Sequence, residues 1–166
     1  SSKGAGIYNF RNGEVSILNT TISGNFGRGV LNENNMYISF STIVNNEAGG
    51  PAAGIYNYQN ITVTNSIVAN NFPSVQCYNA GDVMTFDSSS LDTDGSCGNA
   101  TQATSAEINL GLLQDNGGPT WTHALLSGSV AIDAATADPG ITSDQRGVAR
   151  PQGSASDVGA FENETS

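Results

Sequence analysis

The fold of this chain is decided by residues 61–71, which read ITVTNSIVANN. Two earlier stretches match them position by position: VSILNTTISGN at 15–25 and MYISFSTIVNN at 36–46. The copies begin at 15, 36 and 61, so the steps between them are 21 and 25 residues. A second motif repeats in phase, as GIYN at 6–9, GVLN at 29–32 and GIYN at 54–57. Such a period is typical of a solenoid, in which each repeat buries its apolar face against its neighbours.

An alternation of period two inside each copy shows which kind of solenoid this is. The first and third positions are apolar in every copy, and the residues between them are mostly hydroxylic. That pattern predicts half-buried β-strands with the apolar side chains inward. We therefore predict an all-β fold, a parallel β-helix with about three strands per coil. Its inward rows are Val15, Met36 and Ile61, and Ile17, Ile38 and Val63.

Asparagine recurs at equivalent positions of the copies. Stacked coils place equivalent side chains about 4.8 Å apart, so amides in one column can hydrogen-bond to each other along the stack. Asparagine also tolerates the left-handed backbone of a tight corner. The sequence therefore predicts structural ladders in three columns: Asn9, Asn32 and Asn57; Asn25, Asn46 and Asn71; and Asn19 and Asn65, with Phe40 between them.

The repeat pattern dissolves after Asn71, which sets the predicted organisation. Residues 1–75 are assigned to three β-helix coils, and residues 76–166 to an irregular, disulfide-containing continuation and C-terminal cap of the same domain. No apolar run approaches the roughly 18 residues of a membrane span. No signal peptide opens the chain, so we expect either a processed mature form or part of a longer protein.

Charge divides the chain into a neutral part and an acidic part. Residues 1–75 hold three acids and three bases, whereas residues 76–166 hold twelve acids and two bases. This balance offers no basic surface for nucleic acid or for an anionic membrane. The acidic part indicates either a solubilising surface or bound calcium.

The chain has two cysteines, Cys77 and Cys97, which form a disulfide or remain two free thiols. No histidine or second cysteine pair completes a zinc site around them. An acidic solenoid rich in asparagine and threonine looks extracellular, where disulfides persist. We therefore predict the Cys77–Cys97 bond.

The C-terminal region carries a specific combination of motifs. It reads DNGGPTWTHALLSGSVAIDA at 115–134, DQRGVARPQG at 144–153 and DVGAFE at 157–162. In this order behind β-helix coils, the chain resembles bacterial right-handed parallel β-helix proteins with a choice-of-anchor type C-terminal region. The repeats are also similar to polymorphic outer-membrane protein repeats. The resemblance implies a right-handed solenoid exported to the extracellular space or the cell surface of a bacterium.

Charged residues within that region invite a catalytic interpretation, but a structural one is favoured. Arg–carboxylate pairs commonly lock irregular segments, and nearby glycines suit turns that such pairs would hold. His123, the only histidine, lacks a Ser or Cys nucleophile pattern and is predicted to be a packed residue of the cap. We predict no catalytic residues and assign a cap network of Asp144, Arg146, Arg150, Asp157 and Glu162.

The segment Asp92-Thr93-Asp94-Gly95-Ser96 is the best candidate for metal binding. Two carboxylates at i and i+2 before a glycine begin many calcium loops. An EF-hand would need an acid at the twelfth position, which is Ala103. An Asx turn without metal is therefore the favoured alternative to a calcium site at Asp92 and Asp94, and we predict no other cofactor.

Three functional classes fit such a β-helix. The first is a non-catalytic surface protein: an adhesin, a stalk or a filament subunit. The second is a polysaccharide lyase or hydrolase, by analogy of fold alone; the strand copies carry no acid or base. The third is an ice-binding or glycan-binding face, although Leu18 and Tyr37 interrupt its regular outward rows. We predict the first class.

The first coil has no visible cover for its apolar cross-section. Unpaired strand backbone there would be a template for another chain. One solution is a longer protein with further coils, and the other is head-to-tail docking of a second copy into an open homopolymer. The predicted assembly face consists of Ile7, Val15 and Ile17.

Overall fold

The structure is a computed structural model that describes residues 4–164. Within that range the chain forms fifteen strands and one short helix, which confirms the predicted all-β class. In chain order the elements are β1 (Ala5–Asn9), β2 (Glu14–Leu18), β3 (Thr21–Ser23), β4 (Arg28–Asn32), β5 (Asn35–Ser39), β6 (Thr42–Val44), β7 (Glu47–Asn57), β8 (Ile61–Thr64), β9 (Ile67–Ala69), β10 (Phe72–Asn79), β11 (Met84–Phe86), β12 (Leu91–Asp92), β13 (Thr101–Gln102), α1 (Ser105–Ile108), β14 (Leu110–Gln114) and β15 (Thr122–Leu125).

Three parallel sheets build the body of the molecule. Sheet 1 has the order β1-β4-β7-β10, sheet 2 the order β2-β5-β8-β11, and sheet 3 the order β3-β6-β9-β12-β13. Each coil therefore gives one strand to each sheet, and neighbouring strands pair in parallel. This is the parallel β-helix that the sequence repeat predicts. Strands β14 and β15 form a separate antiparallel hairpin.

The register between coils places the predicted apolar rows in the interior. Val15 pairs with Met36 and Met36 with Ile61, so the first row is continuous. The second row runs through Ile17, Ile38 and Val63 in the same way, and all three side chains are buried. Burying one such side chain contributes about 1.5–3 kcal/mol. The stacked rows are therefore the main source of stability in this part of the chain.

The second motif needs a glycine because residues of sheet 3 and the turn after it pack closely against the backbone at this position. A Cβ on Gly54 would lie 2.8 Å from Cγ1 of Val68 and 3.0 Å from Nδ2 of Asn71. A Cβ on Gly29 would lie at similar distances from the equivalent residues of its own coil. Any side chain here would displace both the apolar core and the amide column.

The solenoid continues beyond the point where the sequence repeat ends. Strands β10, β11 and β12 form a fourth coil, which begins at Phe72 and extends into the segment 76–166 that the sequence predicts to be irregular. The inward positions persist with different residues: Cys77 aligns with Ile55, and Phe86 with Val63. These residues point inward and are apolar, as in the earlier coils, but they are of different types. The sequence repeat is therefore not recognisable in the fourth coil.

The predicted Cys77–Cys97 disulfide is confirmed, and it lies at the fourth coil. Both cysteines are buried and belong to the same apolar cluster as Phe86. Ala100 packs against that cluster as well. The segment around Cys97 therefore covers the apolar interior at this end of the solenoid.

The tail, residues 105–164, packs along the side of the solenoid rather than over its end. Sheet 3 is apolar on its outer face too, and there Val44 and Ile67 contact Ala131, Val158 and other tail residues in a second apolar cluster. The predicted cap is therefore a lateral cover. In the first coil the outer face of sheet 3 is polar, and Thr21 donates a hydrogen bond to Gln145 across a distance of 2.7 Å.

Candidate functional site

The outer face of sheet 1 carries a row of side chains along the solenoid axis, which are tyrosines except for a buried leucine in the second coil. The register aligns Tyr8 with Leu31, Leu31 with Tyr56, and Tyr56 with Tyr78. Exposed aromatic rings concentrate here, on the strands of sheet 1 or beside them: Tyr8, Phe10, Phe26, Tyr58, Phe72 and Tyr78. A concentration of exposed apolar surface on a folded protein usually marks a binding site.

A bulge in β7 turns this face into a groove. Between the pairs Ala48–Pro73 and Ala52–Val75, β7 has two more residues than β10, so Gly49, Gly50 and Pro51 bulge out of the ladder. Gly50 has a φ of +103°, a backbone conformation that favours glycine. The bulge is one wall of a cavity of about 600 Å³. It also accounts for the longer second step of the GIYN motif.

Two tyrosines and an arginine form the floor of the groove. The ring centroids of Tyr56 and Tyr58 are 4.8 Å apart, and those of Tyr56 and Tyr78 are 5.4 Å apart. Cζ of Arg28 lies 4.7 Å from the centroid of Tyr56, in a cation–π contact. Nε of Arg28 is buried and has no hydrogen-bond partner among residues 4–164.

Two carboxylates line the same cavity. Glu33 lies in the turn after β4, and Glu47 begins β7. The hydrogen bond with the Tyr58 side chain, followed by burial, raises the pKa of Tyr56, so its phenol stays protonated at neutral pH. The groove therefore combines flat aromatic faces with acceptor carboxylates and hydroxyl groups. This combination suits a ligand that has both apolar faces and many hydroxyl groups.

The sequence contained a signal for this site that the strand analysis left out. The third position of the GIYN motif gives Tyr8, Leu31 and Tyr56, which points outward from sheet 1. The copies that predict sheets 2 and 3 do not include Arg28, Glu33 and Glu47, so these residues were not predicted as a site.

Two of the predicted asparagine columns form ladders in the structure. Asn9 donates to Oδ1 of Asn32 at 2.9 Å, and Asn32 donates to Oδ1 of Asn57 at 2.7 Å. In the other column, Asn25 donates to Asn46 at 2.7 Å, and Asn46 donates to Asn71 at 2.8 Å. The columns extend by one residue each into the fourth coil, through Asn79 and Gln76.

The third asparagine column does not form a ladder. Asn19 and Asn65 both have positive φ, as does Phe40, so the predicted bend is present. The apolar ring of Phe40 separates the two amides, and each binds the tail instead. Asn19 donates to the carbonyl of Ser143 at 2.7 Å, and Asn65 exchanges two hydrogen bonds with the backbone of Thr136.

The five residues of the predicted cap network come together inside the tail. Arg150 donates to Glu162 at 2.8 Å, and both side chains are fully buried. Arg146 pairs with Asp144 at 2.9 Å. Backbone groups complete the network, because Nη1 of Arg150 also donates to the carbonyl of Asp157. The guanidinium of Arg150 faces the ring of Phe40 at 4.7 Å, which ties the network to the solenoid.

Asp157 is the most strongly perturbed acid of this network. Burial raises its pKa to about 6, against the opposing effects of hydrogen bonds from the backbone N–H groups of Asp133 and Asn163. The charge of Arg150 opposes the rise as well. The carboxyl therefore changes its protonation state in a mildly acidic range.

The carboxylates of Asp92 and Asp94 accept hydrogen bonds from backbone and hydroxyl groups of their own segment and from the backbone of β10. Asp92 accepts from the N–H groups of Gly95 and Cys97, and Asp94 accepts from Ser96 and from the N–H of Gln76. Burial raises the pKa of Asp92. Within residues 4–164, no three His, Cys, Asp or Glu side chains group into a metal site. The hydrogen bond from the N–H of Ser96 to Asp94 is that of an Asx turn.

His123 is a buried residue that joins the tail hairpin to the first coil. Its Nδ1 faces the carbonyl of Gly111 at 2.8 Å and so carries the hydrogen, which leaves Nε2 to accept from Oγ of Ser23 at 2.9 Å. Burial lowers the pKa of His123. Ser23 lies 100 positions earlier in the chain, which is why no serine partner was visible in the sequence.

The predicted assembly face has two partly exposed members and one buried member. Ile7 and Val15 are half-buried against the apolar core, whereas Ile17 is only 6% exposed. Among the described residues, β1, β2 and β3 are each the end strand of a sheet and pair on one side only. The backbone of these three strands is therefore the open edge of the described solenoid.

Comparisons with known proteins find no relative for this chain: no family profile, no curated protein and no solved structure matches it. No helix within residues 4–164 is long and apolar enough to cross a membrane. The architecture alone therefore defines its class, which is a parallel β-solenoid of about four coils.

Proposed function

We propose that this chain is a non-catalytic structural protein of the extracellular space or the bacterial cell surface, an adhesin that binds glycans in the groove of sheet 1. The observation that carries the proposal is the aromatic row of sheet 1, which borders a cavity containing Arg28, Glu33 and Glu47. An extended face of parallel strands presents such a row in a straight line, because each coil adds one residue to it.

The cell-surface part of the proposal is supported by the motifs of the tail and by the disulfide. The segments DNGGPTWTHALLSGSVAIDA and DQRGVARPQG resemble choice-of-anchor proteins, which are bacterial surface proteins. A buried disulfide persists in an oxidising compartment and is rare in the cytosol. Both of the cysteines in the chain are used in that bond.

Glycan binding is favoured over a protein partner because of the chemistry of the groove. Tyrosine rings supply flat apolar surface with a polar edge, and carboxylates accept hydrogen bonds without donating any. A sugar ring has an apolar face and a rim of hydroxyl groups, so it matches both properties. In the wall, Pro51 adds only a backbone carbonyl, and Gly49 adds only a backbone N–H and carbonyl.

The proposal is tested with an immobilised panel of neutral, acidic and amino polysaccharides, followed by titration calorimetry of those that bind. Tyr56→Ala should weaken binding about tenfold or more, since it removes the central ring of the row. Tyr37→Ala is the matched control, because Tyr37 is half-exposed on the outer face of sheet 2. If no glycan binds, or if both variants lose binding equally, the proposal fails.

The second candidate function is a polysaccharide hydrolase or lyase, and one observation favours it. Glu33, Glu47 and Arg28 line one groove, and paired carboxylates are the groups that such enzymes use. Incubation with polysaccharides and detection of new reducing ends or of ultraviolet-absorbing double bonds tests it. Turnover that is lost in both Glu33→Gln and Glu47→Gln would replace the non-catalytic proposal with this one.

A further inference from the structure

We infer that the groove of sheet 1 holds an internal segment of a linear polysaccharide, and that the sugar chain lies across the solenoid axis, parallel to β4. This inference rests on the proposed glycan-binding function and adds the direction of the sugar chain and the part of the glycan that is recognised. Three features of the described residues carry it: the shape of the cavity, the gap in the row of tyrosines and the exposed rings at the two ends of the groove.

The cavity follows the strands rather than the solenoid axis. Every described residue that lines it, except Gly4, belongs to β4, to β7 or to a turn next to one of these strands. The lining runs from Phe26, before β4, to Glu33, directly after it. Neighbouring strands of a sheet are about 4.8 Å apart, whereas the five residues of β4 extend about 17 Å along the strand. The cavity is therefore longer across the axis than along it.

The gap in the row of tyrosines disfavours a ligand along the axis. Leu31 stands between Tyr8 and Tyr56 in the register, and only 3% of it is exposed. A sugar chain along the axis would cross the second coil without meeting an exposed ring of the row. For a sugar chain that lies across the axis, Leu31 is instead a low apolar floor under the middle of the groove.

The rings that a ligand can reach lie at the two ends of the groove. In the middle, Cζ of Arg28 lies 4.7 Å from the centroid of Tyr56 and covers one face of that ring. The bulge packs against the same guanidinium, because a Cβ on Gly50 would lie 3.2 Å from Nη2 of Arg28. The exposed rings of the lining are Phe26, which is 93% exposed, and Tyr58, which is 43% exposed.

Both ends of the groove are at corners of the solenoid. Phe26 lies in the turn from β3 to β4, where sheet 3 meets sheet 1, and Tyr58 lies in the turn from β7 to β8, where sheet 1 meets sheet 2. At a corner the surface of the sheet turns away, so a ligand continues into solvent beyond each ring. A groove with exposed rings at two such ends suits a sugar chain that enters at one corner and leaves at the other. It therefore suits an internal segment of a polysaccharide rather than a terminal sugar.

The first test measures how many protein molecules bind to one polysaccharide chain. The probes are mixed-linkage glucan, which is neutral, polygalacturonate, which is acidic, and chitosan, which is basic, each in a short and a long fraction. Titration calorimetry of the whole protein is run at high salt, which screens non-specific attraction between charged chains. We expect the number of bound molecules to rise in proportion to the length of a polysaccharide that binds, because internal segments repeat along it. The same small number for both fractions would show recognition of chain ends and overturn the inference.

The second test removes one exposed ring at a time and gives the direction of the sugar chain. Phe26→Ala and Tyr58→Ala should each weaken binding about tenfold, since each removes the ring at one end of the groove. Tyr78→Ala and Phe10→Ala are the matched controls, because both rings are similarly exposed on the same side of the molecule but lie outside the lining of the cavity. Each control should change the affinity by less than about twofold.

The remaining outcomes separate the inference from the proposed function. A loss of affinity in Tyr78→Ala without one in Phe26→Ala would place the sugar chain along the axis. Equal losses in all four variants, a loss in only one of Phe26→Ala and Tyr58→Ala, or no loss in any variant would also overturn the inference and leave glycan binding intact. If none of the three polysaccharides binds, the proposed function fails as well. Unfolding midpoints in urea, measured for every variant, separate a lost contact from a lost fold.

Discussion

Asn65 shows how one residue serves both the solenoid and the tail. Its backbone has a φ of +47°, which turns the chain from sheet 2 to sheet 3. Its side chain accepts from the N–H of Thr136 at 2.8 Å and donates to the carbonyl of the same residue at 3.0 Å. An amide is the only kind of uncharged side chain that offers a donor and an acceptor side by side for this pairing. Asparagine also adopts positive φ more readily than most residues.

Replacing Asn65 by alanine should therefore destabilise the fold more than replacing its neighbour Thr64. Asn65→Ala leaves both backbone groups of Thr136 without their partner and puts alanine at positive φ, a loss of about 2–3 kcal/mol. Thr64→Ala removes an outward hydroxyl that donates to Ser39, which is worth about 1 kcal/mol or less. Urea unfolding at neutral pH measures both losses. Equal midpoints would contradict the assigned role of Asn65.

Asp157 should make stability depend on pH. Its pKa is about 6 in the folded protein, above the value of 3.8 for an exposed aspartate, so between these limits the folded state binds more protons than the unfolded state. Stability from this group is therefore fully present below pH 3.8 and is lost as the pH rises through 6. The expected loss is on the order of 1–3 kcal/mol.

The measurement is a series of urea unfolding curves between mildly acidic and neutral pH. Asp157→Asn does not titrate, so the decrease assigned to this group should be missing from its profile, whatever the absolute stability of the variant. Asp138→Asn, at an exposed position of the tail, is the control. A decrease that persists unchanged in Asp157→Asn would show that another group causes it.

For single residues, the sequence predicts where the backbone bends better than it predicts the hydrogen-bond partners of the residues at those bends. The bends at Asn19 and Asn65 follow from the repeat, because the same position turns in every coil. Their partners, Ser143 and Thr136, lie 124 and 71 positions away in a segment without periodicity. A ladder was expected because the amides are equivalent in the repeat, and the intervening Phe40 prevents it.

The bulge in β7 belongs to the proposed binding face and not to the core of the solenoid. Gly49, Gly50 and Pro51 leave the ladder after the Ala48–Pro73 pair, and the register shifts once more after Ala52 before the pairing with β10 becomes regular at Ile55. A Cβ on Gly49 would meet nothing within 4 Å, so this part of the bulge faces open space. The strand beneath needs none of these residues for its core contacts.

Deleting Gly49 and Gly50 should remove the groove and keep the solenoid. The deletion shortens the step from Gly29 to Gly54 from 25 residues to 23. A step of 23 residues already separates Gly6 from Gly29. We expect circular dichroism and the urea midpoint close to those of the parent chain, and glycan affinity reduced about tenfold or more. A deletion variant that binds as tightly as the parent would place the site elsewhere.

At the scale of elements, sheets 1 to 3 were predictable and the position of the tail was not. Strands β6 and β9 read Thr-Ile-Val and Ile-Val-Ala, without the polar residues that an exposed outer face would have. This lack of alternation indicates strands buried on both faces. It predicts a cover over sheet 3, but the covering segment is irregular and has no period by which to identify it.

At the scale of the whole molecule, strands β1, β2 and β3 form an open edge among residues 4–164, and we propose that a second copy pairs with this edge head to tail. Ile7 and Val15 leave apolar surface beside unpaired strand backbone there. A contact of this kind is heterologous and builds a filament when the rotation does not close. Ile17 is too deeply buried to take part directly.

The double variant Ile7→Lys/Val15→Lys should prevent this assembly and leave a folded β-rich monomer, because charges on strand edges block pairing between chains. Light scattering at high protein concentration and electron microscopy compare it with the parent chain. Leu18→Lys, at an exposed position on the outer face of sheet 2, is the matched control. A parent chain that is monomeric at every concentration refutes the filament.

The lateral tail has a mechanical consequence. It leaves the fourth coil and returns along sheet 3 to the first coil, where Gln145 and His123 bind Thr21 and Ser23. The ion pairs around Arg150 then fasten its last segment to the ring of Phe40 in the second coil. A tensile load applied through Gly4 and Glu164 would thus enter and leave the molecule near its first two coils. The tail would act as a tie under shear, and its hydrogen bonds with Asn65 would pass part of the load to the third coil.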